Sequence, residues 1–194
     1  MRRAAADAAE RLVLKTKLGG ADDEAALAAV RDAAPEATLI VDANEGWTEP
    51  VLASRLAACH RADVAMVEQP LPAGHDAILA RIARPVPVCA DESAHVAADL
   101  VALRDRYDAV NVKLDKAGGL TAALEMVEEA ERLGFGVMVG SMLGSSLGVA
   151  PALLLTPRAR FVDLDGPLLL ARDRDPGLRY DGSVVLPAEP EVWG

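Results

Sequence analysis

Aromatic residues are scarce, at 3% of the 194-residue chain, with two each of Trp, Tyr and Phe. Ala, Val and Leu must therefore fill any core. Cysteine is rarer still: Cys59 and Cys89 lie in the apolar settings AACHR and PVCAD, without CxxC spacing. That pattern excludes a disulfide scaffold and reads as two free, buried thiols in a reducing, cytoplasmic compartment. Positive charge is in deficit, with Lys plus Arg 20 against Asp plus Glu 30 and a net charge of −10. This excludes a nucleic-acid partner, because phosphate binding needs a basic face, and disfavours an anionic membrane surface. No apolar run approaches the roughly 20 residues of a membrane helix. No GxGxxG follows the first apolar run, so a dinucleotide site is not expected. The opening MRRAAADAAERLVLK is interrupted by Asp7 and Glu10, which predicts a helix over 4–11 and no signal peptide.

What is present is a repeating rhythm. Hydrophobic residues make up 52% of the chain, enough for one domain spanning 1–194. Runs rich in Val, Leu and Ile recur at 12–18, 37–43, 64–70, 86–92, 109–115, 136–142 and 161–167. Between them lie helical patterns: 22–34, a helix opened by Thr48-Glu49-Pro50, 121–132 closed by Gly134, and a weaker one over 145–156 interrupted by Gly148 and Pro151. Gly19-Gly20 and Gly118-Gly119 read as turns. Strands alternating with helices mean βαβ units and a parallel sheet, closed as a barrel or open and doubly wound. Seven strands fall one short of a closed eight-strand barrel, so the barrel reads as incomplete at its beginning. Residues 178–187 read as a β-hairpin around Asp181-Gly182.

The charged residues sit where parallel barrels keep their chemistry, at strand C-termini. Asp42, Glu68 and Asp91 end three consecutive strands, at spacings of 26 and 23 residues. Three carboxylates at one rim repel unless a cation neutralises them, and all-oxygen ligands suit Mg²⁺. Lys15 and Lys17 are two apart on one strand and share a face, with Leu12, Leu14 and Leu18 to cover the other. Lys113 takes the equivalent place four strands later. Asp163 and Asp165 form another pair at that spacing, suited to a substrate ammonium. If the strands are numbered 2 to 8 in an eight-strand ring, Lys17 opposes Lys113, and Glu68 opposes Asp163 and Asp165. A carbon held across that mouth has one lysine on each side, the arrangement that moves a proton from one face to the other. Lys15 and the metal are both expected to lower the pKa of Lys17 towards the range a base needs.

The motifs KTK (15–17), DANEGW (42–47), VEQP (67–70), ADES (90–93), NVKLDKAGG (111–119) and DLDGP (163–167) resemble the enolase superfamily. Within it they resemble the muconate-cycloisomerase-like subgroup and the dipeptide epimerases of the L-Ala-D/L-Glu type. The resemblance implies an enolase-type (β/α)7β TIM-like barrel, present here as strands 2–8. The first strand and the N-terminal capping domain of the family are absent from this sequence. It further implies Mg²⁺ on Asp42, Glu68 and Asp91, acid/base roles for Lys17 and Lys113, and assistance from Lys15. The substrate implied is a small dipeptide whose α-ammonium meets Asp163 and Asp165, with a link to cell-wall peptide recycling; a homo-oligomer is one arrangement to test. Asn44 and Gln69 are expected beside the ligands, Ser141 and Met142 along the pocket, and Glu92 either bonds a lysine or caps the next helix. His60, His75 and His95 are expected at the surface, and Trp47 packed at the rim. Two other readings stand: a sister activity (cycloisomerase, o-succinylbenzoate synthase or N-acylamino-acid racemase) and a non-catalytic fragment.

Overall fold

Each apolar run builds a strand only as far as its backbone can pair. The computed structural model describes residues 1–193, and its contacts group into two units. The first comprises Met1–Ser93 with Asp105–Asp108, and the second Ala94–Arg104 with the chain from Ala109 onward.

In the first unit the helix α1 (Arg2–Asp7) precedes β1 (Val13–Lys17), α2 (Asp23–Ala33), β2 (Thr38–Asp42), α3 (Glu49–Arg61), β3 (Val64–Glu68) and β4 (Val88–Ala90). The four strands are parallel and neighbour one another in chain order. Leu39 and Val41 face away from the charged side and are fully buried with Leu52 and Leu56 of α3. The opposite face carries Lys15, Lys17, Ile40, Asp42, Met66 and Glu68 in two rows: Lys15–Ile40–Met66 and Lys17–Asp42–Glu68. A register shift makes the second row. Leu39 pairs with Val64 but Ile40 pairs with Met66, so Ala65 is an inserted residue. Without this bulge Asp42 would stand beside Val67, whose side chain points to the other face.

Strands are shorter than their apolar runs. β3 stops at Glu68 because Gln69 adopts φ +34° and Pro70 has no N–H to donate. β4 keeps three of seven expected residues, since Pro85 and Pro87 have no N–H to donate on its N-terminal side, although the Pro87 carbonyl still accepts from Val67. α1 ends at Asp7, short of the expected 11.

A buried carboxylate ties the loops beyond β1 and β2 together. Asp23 accepts the backbone N–H groups of Gly19 (3.0 Å) and Gly20 (2.9 Å) and the indole N–H of Trp47 (2.8 Å). A Cβ at Gly46 would stand 2.8 Å from the Ala43 carbonyl oxygen and from Gly19 Cα, so only glycine permits this approach. Asp23→Ala strands the buried Trp47 indole N–H and removes the acceptor of two part-buried backbone N–H groups. We expect a loss of about 2–3 kcal/mol and a melting temperature lowered by roughly 5–10 °C, read by calorimetry.

In the second unit α4 (Leu100–Leu103) is followed by β5 (Ala109–Lys113), α5 (Leu114–Ala117), α6 (Leu120–Leu133), β6 (Gly136–Gly140), α7 (Ser146–Val149) and β7 (Phe161–Asp163). The three strands are parallel, β5–β6–β7, with Lys113, Gly140 and Asp163 in one row. α6 buries Ala123, Met126, Val127 and Ala130 and stops at Gly134 in the left-handed region, as its pattern predicts. The weak pattern over 145–156 resolves into α7 and a 3-10 segment, Ala150–Arg158, where Pro151 and Pro157 deny the α-helical ladder its N–H donors. The expected hairpin forms as β8 (Tyr180–Asp181) and β9 (Val184–Val185), ahead of a short helix α8 (Pro190–Trp193). Among the described residues no helix is long and apolar enough to cross a membrane. Both cysteines are buried and outside any disulfide, and burial pushes the Cys59 thiol up to about 12. His60, His75 and His95 are exposed.

Candidate active site

The first unit carries the candidates Asp42, Glu68, Asp91, Lys15 and Lys17. Asp42 and Glu68 are the last residues of β2 and β3, and Asp91 is the first residue past β4. All three are buried, Glu68 completely. Lys15 sends its ammonium between two of them, 3.2 Å from Asp42 Oδ2 and 2.8 Å from Glu68 Oε2. Lys17 reaches the same Asp42 oxygen at 3.1 Å and also donates to Asn44 Oδ1. The two lysines thus share a face, as their spacing predicts. Their surroundings differ: the Lys15 side chain is 18% exposed and that of Lys17 70%. The cover foreseen on the other face is partial, because Leu18 is buried but Leu12 is 68% exposed.

Electrostatics follow from burial. Desolvation pushes the Glu68 carboxyl up to about 7; Lys15 opposes this, while Asp42 and Asp91 reinforce it. Glu92 is also raised, first by burial and then by Asp91. It accepts a long bond from Asn44 Nδ2 (3.4 Å), and its Oε2 is buried without a hydrogen-bond partner. Glu92 thus receives the Asn44 amide and a backbone N–H. Asn44 is itself anchored at Asp42, whose Oδ1 accepts the Asn44 backbone N–H at 3.0 Å.

Does this cluster suit a metal? The donor set is all-oxygen and anionic, with Asp42 and Asp91 adding to the burial that raises the Glu68 carboxyl, which is the chemistry a hard divalent cation satisfies. Among the described residues no three His, Cys, Asp or Glu side chains converge to enclose an ion. The Lys15 ammonium lies between Asp42 and Glu68 and offsets their charge. The fit is thus one of charge and donor type.

The second unit carries the remaining candidates. Lys113 ends β5 and is 8% exposed, with Asn111 fully buried two residues before it. Gly140 is obligatory beside them, since a Cβ there would lie 2.6 Å from Asn111 Oδ1. Asp163 closes β7 and is half-buried. Asp165 departs from expectation: it lies beyond the strand in the right-handed helical region (φ −88°, ψ 0°), leading into a 3-10 turn over Gly166–Leu169. The run turns here because Pro167 cannot extend a ladder. Ser141 and Met142 follow β6, and Met142 is 53% exposed. A Cβ on Gly166 would stand 2.8 Å from the Met142 carbonyl oxygen, so the two turns are in direct contact.

Several buried polar residues were not legible as site residues. Asp76, Arg106 and Tyr107 join Gln69 and Ser93 in one hydrogen-bonded group. In the second unit Asp173 accepts the Ser146 N–H (2.9 Å) and its hydroxyl, and fastens the loop ahead of the hairpin. The only sequence signal was Tyr107 itself: a tyrosine in an aromatic-poor core must find a polar partner.

A sequence model described as "Enolase C-terminal domain-like" matches residues 1–190. The chain belongs to this enolase family. It is 46% identical to N-acetyl-D-glutamate racemase of Pseudoalteromonas sp, over 94% of this chain and 58% of that protein. It is 49% identical to L-Ala-D/L-Glu epimerase of Escherichia coli K12, over 87% of this chain and 52% of that one. It thus spans little more than half the length of these relatives. Among solved structures, an enolase family member from Agrobacterium tumefaciens with homology to dipeptide epimerases, holding sodium and L-Ala-L-Glu, is 61% identical. That match covers 100% of this chain and 59% of that one, at a TM-score of 0.97. A dipeptide epimerase from Methylococcus capsulatus, complexed with Mg and L-Arg-D-Lys, is 31% identical over 92% of this chain and 54% of that one, at a TM-score of 0.84. The fold class is therefore that of the enolase-type α/β barrel, to which this chain contributes seven parallel strands.

Proposed function

We propose that the chain carries the catalytic residues of a Mg²⁺-dependent dipeptide epimerase of the L-Ala-D/L-Glu type. The observation that carries this reading is the Lys15–Asp42–Glu68 cluster with Lys17 at its edge, on strand ends of an enolase-family chain. Asp42, Glu68 and Asp91 are the residues that would hold the metal. When bound, Mg²⁺ supplies positive charge against the negative charge that grows on a substrate carboxylate as its α-proton leaves. Lys17 and Lys113 are the two acid/base groups. One neutral amine takes the α-proton, breaking C–H and forming N–H, and the other ammonium returns a proton to the opposite face of the carbon. Lys15 balances the carboxylates and contacts the substrate carboxylate. Asp163 and Asp165 receive the free α-ammonium of a dipeptide.

A second reading, racemisation of an N-acylated glutamate, is favoured by the likeness to N-acetyl-D-glutamate racemase. The two differ in the ammonium, which an N-acetyl group removes. Asp163→Asn separates them. For dipeptide epimerisation we expect KM for L-Ala-L-Glu to rise roughly tenfold or more, one charge-assisted hydrogen bond lost, with Mg²⁺ affinity unchanged. Wild-type turnover of N-acetylglutamate, undiminished in Asp163→Asn and without turnover of the dipeptide, would establish the second reading instead.

A further inference from the structure

Asp91 follows a three-residue strand, so something other than a long ladder must hold it. Its backbone N–H donates to Gln69 Oε1 at 2.9 Å, and the N–H of Ser93 donates to the same oxygen at 3.1 Å. One side-chain oxygen thus fixes both ends of the turn. Gln69 is fully buried and follows Glu68 directly. An amide can present its oxygen or its nitrogen, so the direction needs a cause.

That cause lies on the other side of the amide. Gln69 Nε2 faces the Leu71 carbonyl (2.8 Å), Ser93 Oγ (2.9 Å) and Tyr107 OH (3.0 Å). The carbonyl can only accept, whereas the hydroxyls can do either. Both hydroxyls also reach Asp76 Oδ2, Tyr107 at 2.6 Å and Ser93 at 2.8 Å. A carboxylate only accepts, so both hydroxyl protons point at Asp76 and their lone pairs are left for the Gln69 NH₂. Asp76 is itself fully buried, and Arg106 Nη1 meets its other oxygen at 2.5 Å. Burial opposes ionisation of Asp76, but the bonds from Tyr107, Ser93 and Arg106 outweigh it and hold the carboxyl below its ordinary range.

We propose that Asp76, acting through Tyr107, Ser93 and Gln69, is a positioning residue for Asp91: its charge orients each hydrogen bond in the chain and so sets the turn that presents Asp91 before a cation arrives. This rests on the reading of Asp91 as a metal ligand.

The test compares wild type, Asp76→Asn, Tyr107→Phe and a core control, Leu56→Ala. Amide hydrogen exchange at Asp91 and Ser93 is measured by NMR on metal-free protein, and Mg²⁺ affinity by calorimetric titration at 25 °C. Asp76→Asn is expected to speed exchange at those two amides at least tenfold beyond its effect at Val67, and to weaken Mg²⁺ at least fivefold. Tyr107→Phe, the smaller change, is expected to act the same way to a lesser degree, and it carries the test should Asp76→Asn not fold. Leu56→Ala is expected to lower stability without either selective effect. If the amides of 91 and 93 exchange no faster than Val67 in the network variants, the positioning role is overturned. The same holds if Mg²⁺ affinity changes no more than in Leu56→Ala. Wild-type protein that binds no Mg²⁺ overturns the metal reading, and the inference with it.

Discussion

Lys113→Ala is expected to abolish epimerisation yet leave α-proton exchange of one substrate enantiomer, and Lys17→Ala to do the same for the other enantiomer. That is the outcome a two-base reaction requires. Epimerisation needs a proton taken from one face and returned to the other, so removing either lysine breaks the sequence. The remaining lysine can still exchange the proton on its own side. Loss of a positioned general acid or base costs about 10²–10⁴-fold in rate, placing epimerisation by either variant near background. The two side chains meet different surroundings: Lys113 is 8% exposed at the end of β5, whereas Lys17 is largely exposed and held by Asp42 and Asn44. Proton NMR in D₂O, run separately from each enantiomer, reads both effects. Full epimerisation by either single variant contradicts the mechanism.

Glu68→Gln is expected to cost more than about 100-fold in Mg²⁺ affinity, beyond the loss typical of residues that only support a metal's ligands. It is also expected to remove a pH dependence that wild type shows. The Glu68 carboxyl titrates near 7, raised chiefly by burial, against an ordinary 4.5. Between those values the metal-free native state holds a proton that the unfolded chain has released. Stability of the metal-free protein therefore falls as pH rises from about 4.5 to 7 and is level above. Mg²⁺ must displace that proton, so its affinity rises with pH, by up to about tenfold per unit, and levels off past 7. Glutamine cannot titrate, so both slopes flatten. Thermal melts and calorimetric titrations from pH 5 to 8 measure them. A wild-type affinity independent of pH below 7 would show that Glu68 is ionised without metal, against this account.

Periodicity carried much of the architecture. The charged strand ends at Asp42, Glu68 and Lys113 lie where their spacing puts them, because a parallel βα repeat leaves little choice of register between units. Three features resisted that reading. The bulge at Ala65, which brings Asp42 level with Glu68, depends on pairing between strands and leaves no local mark. Asp165 leaves the strand because of the Gly166-Pro167 turn, a signal that was visible but weighed less than the apolar run before it. The Asp76 network joins residues as far apart as 31 and 38 positions, and no pattern within a helix or strand reports such contacts. The carboxylate cluster shows a related limit: spacing predicted three acids at one rim but not that Lys15 would lie between two of them.

The most direct test of the central claim is proton NMR of L-Ala-L-Glu in D₂O with this chain and Mg²⁺, following the α-proton of the Glu residue. The account predicts loss of that signal only when Mg²⁺ is present, with L-Ala-D-Glu appearing, and no loss with Glu68→Gln. An α-proton signal that persists with wild type and Mg²⁺, or one that fades equally without the metal, would contradict it.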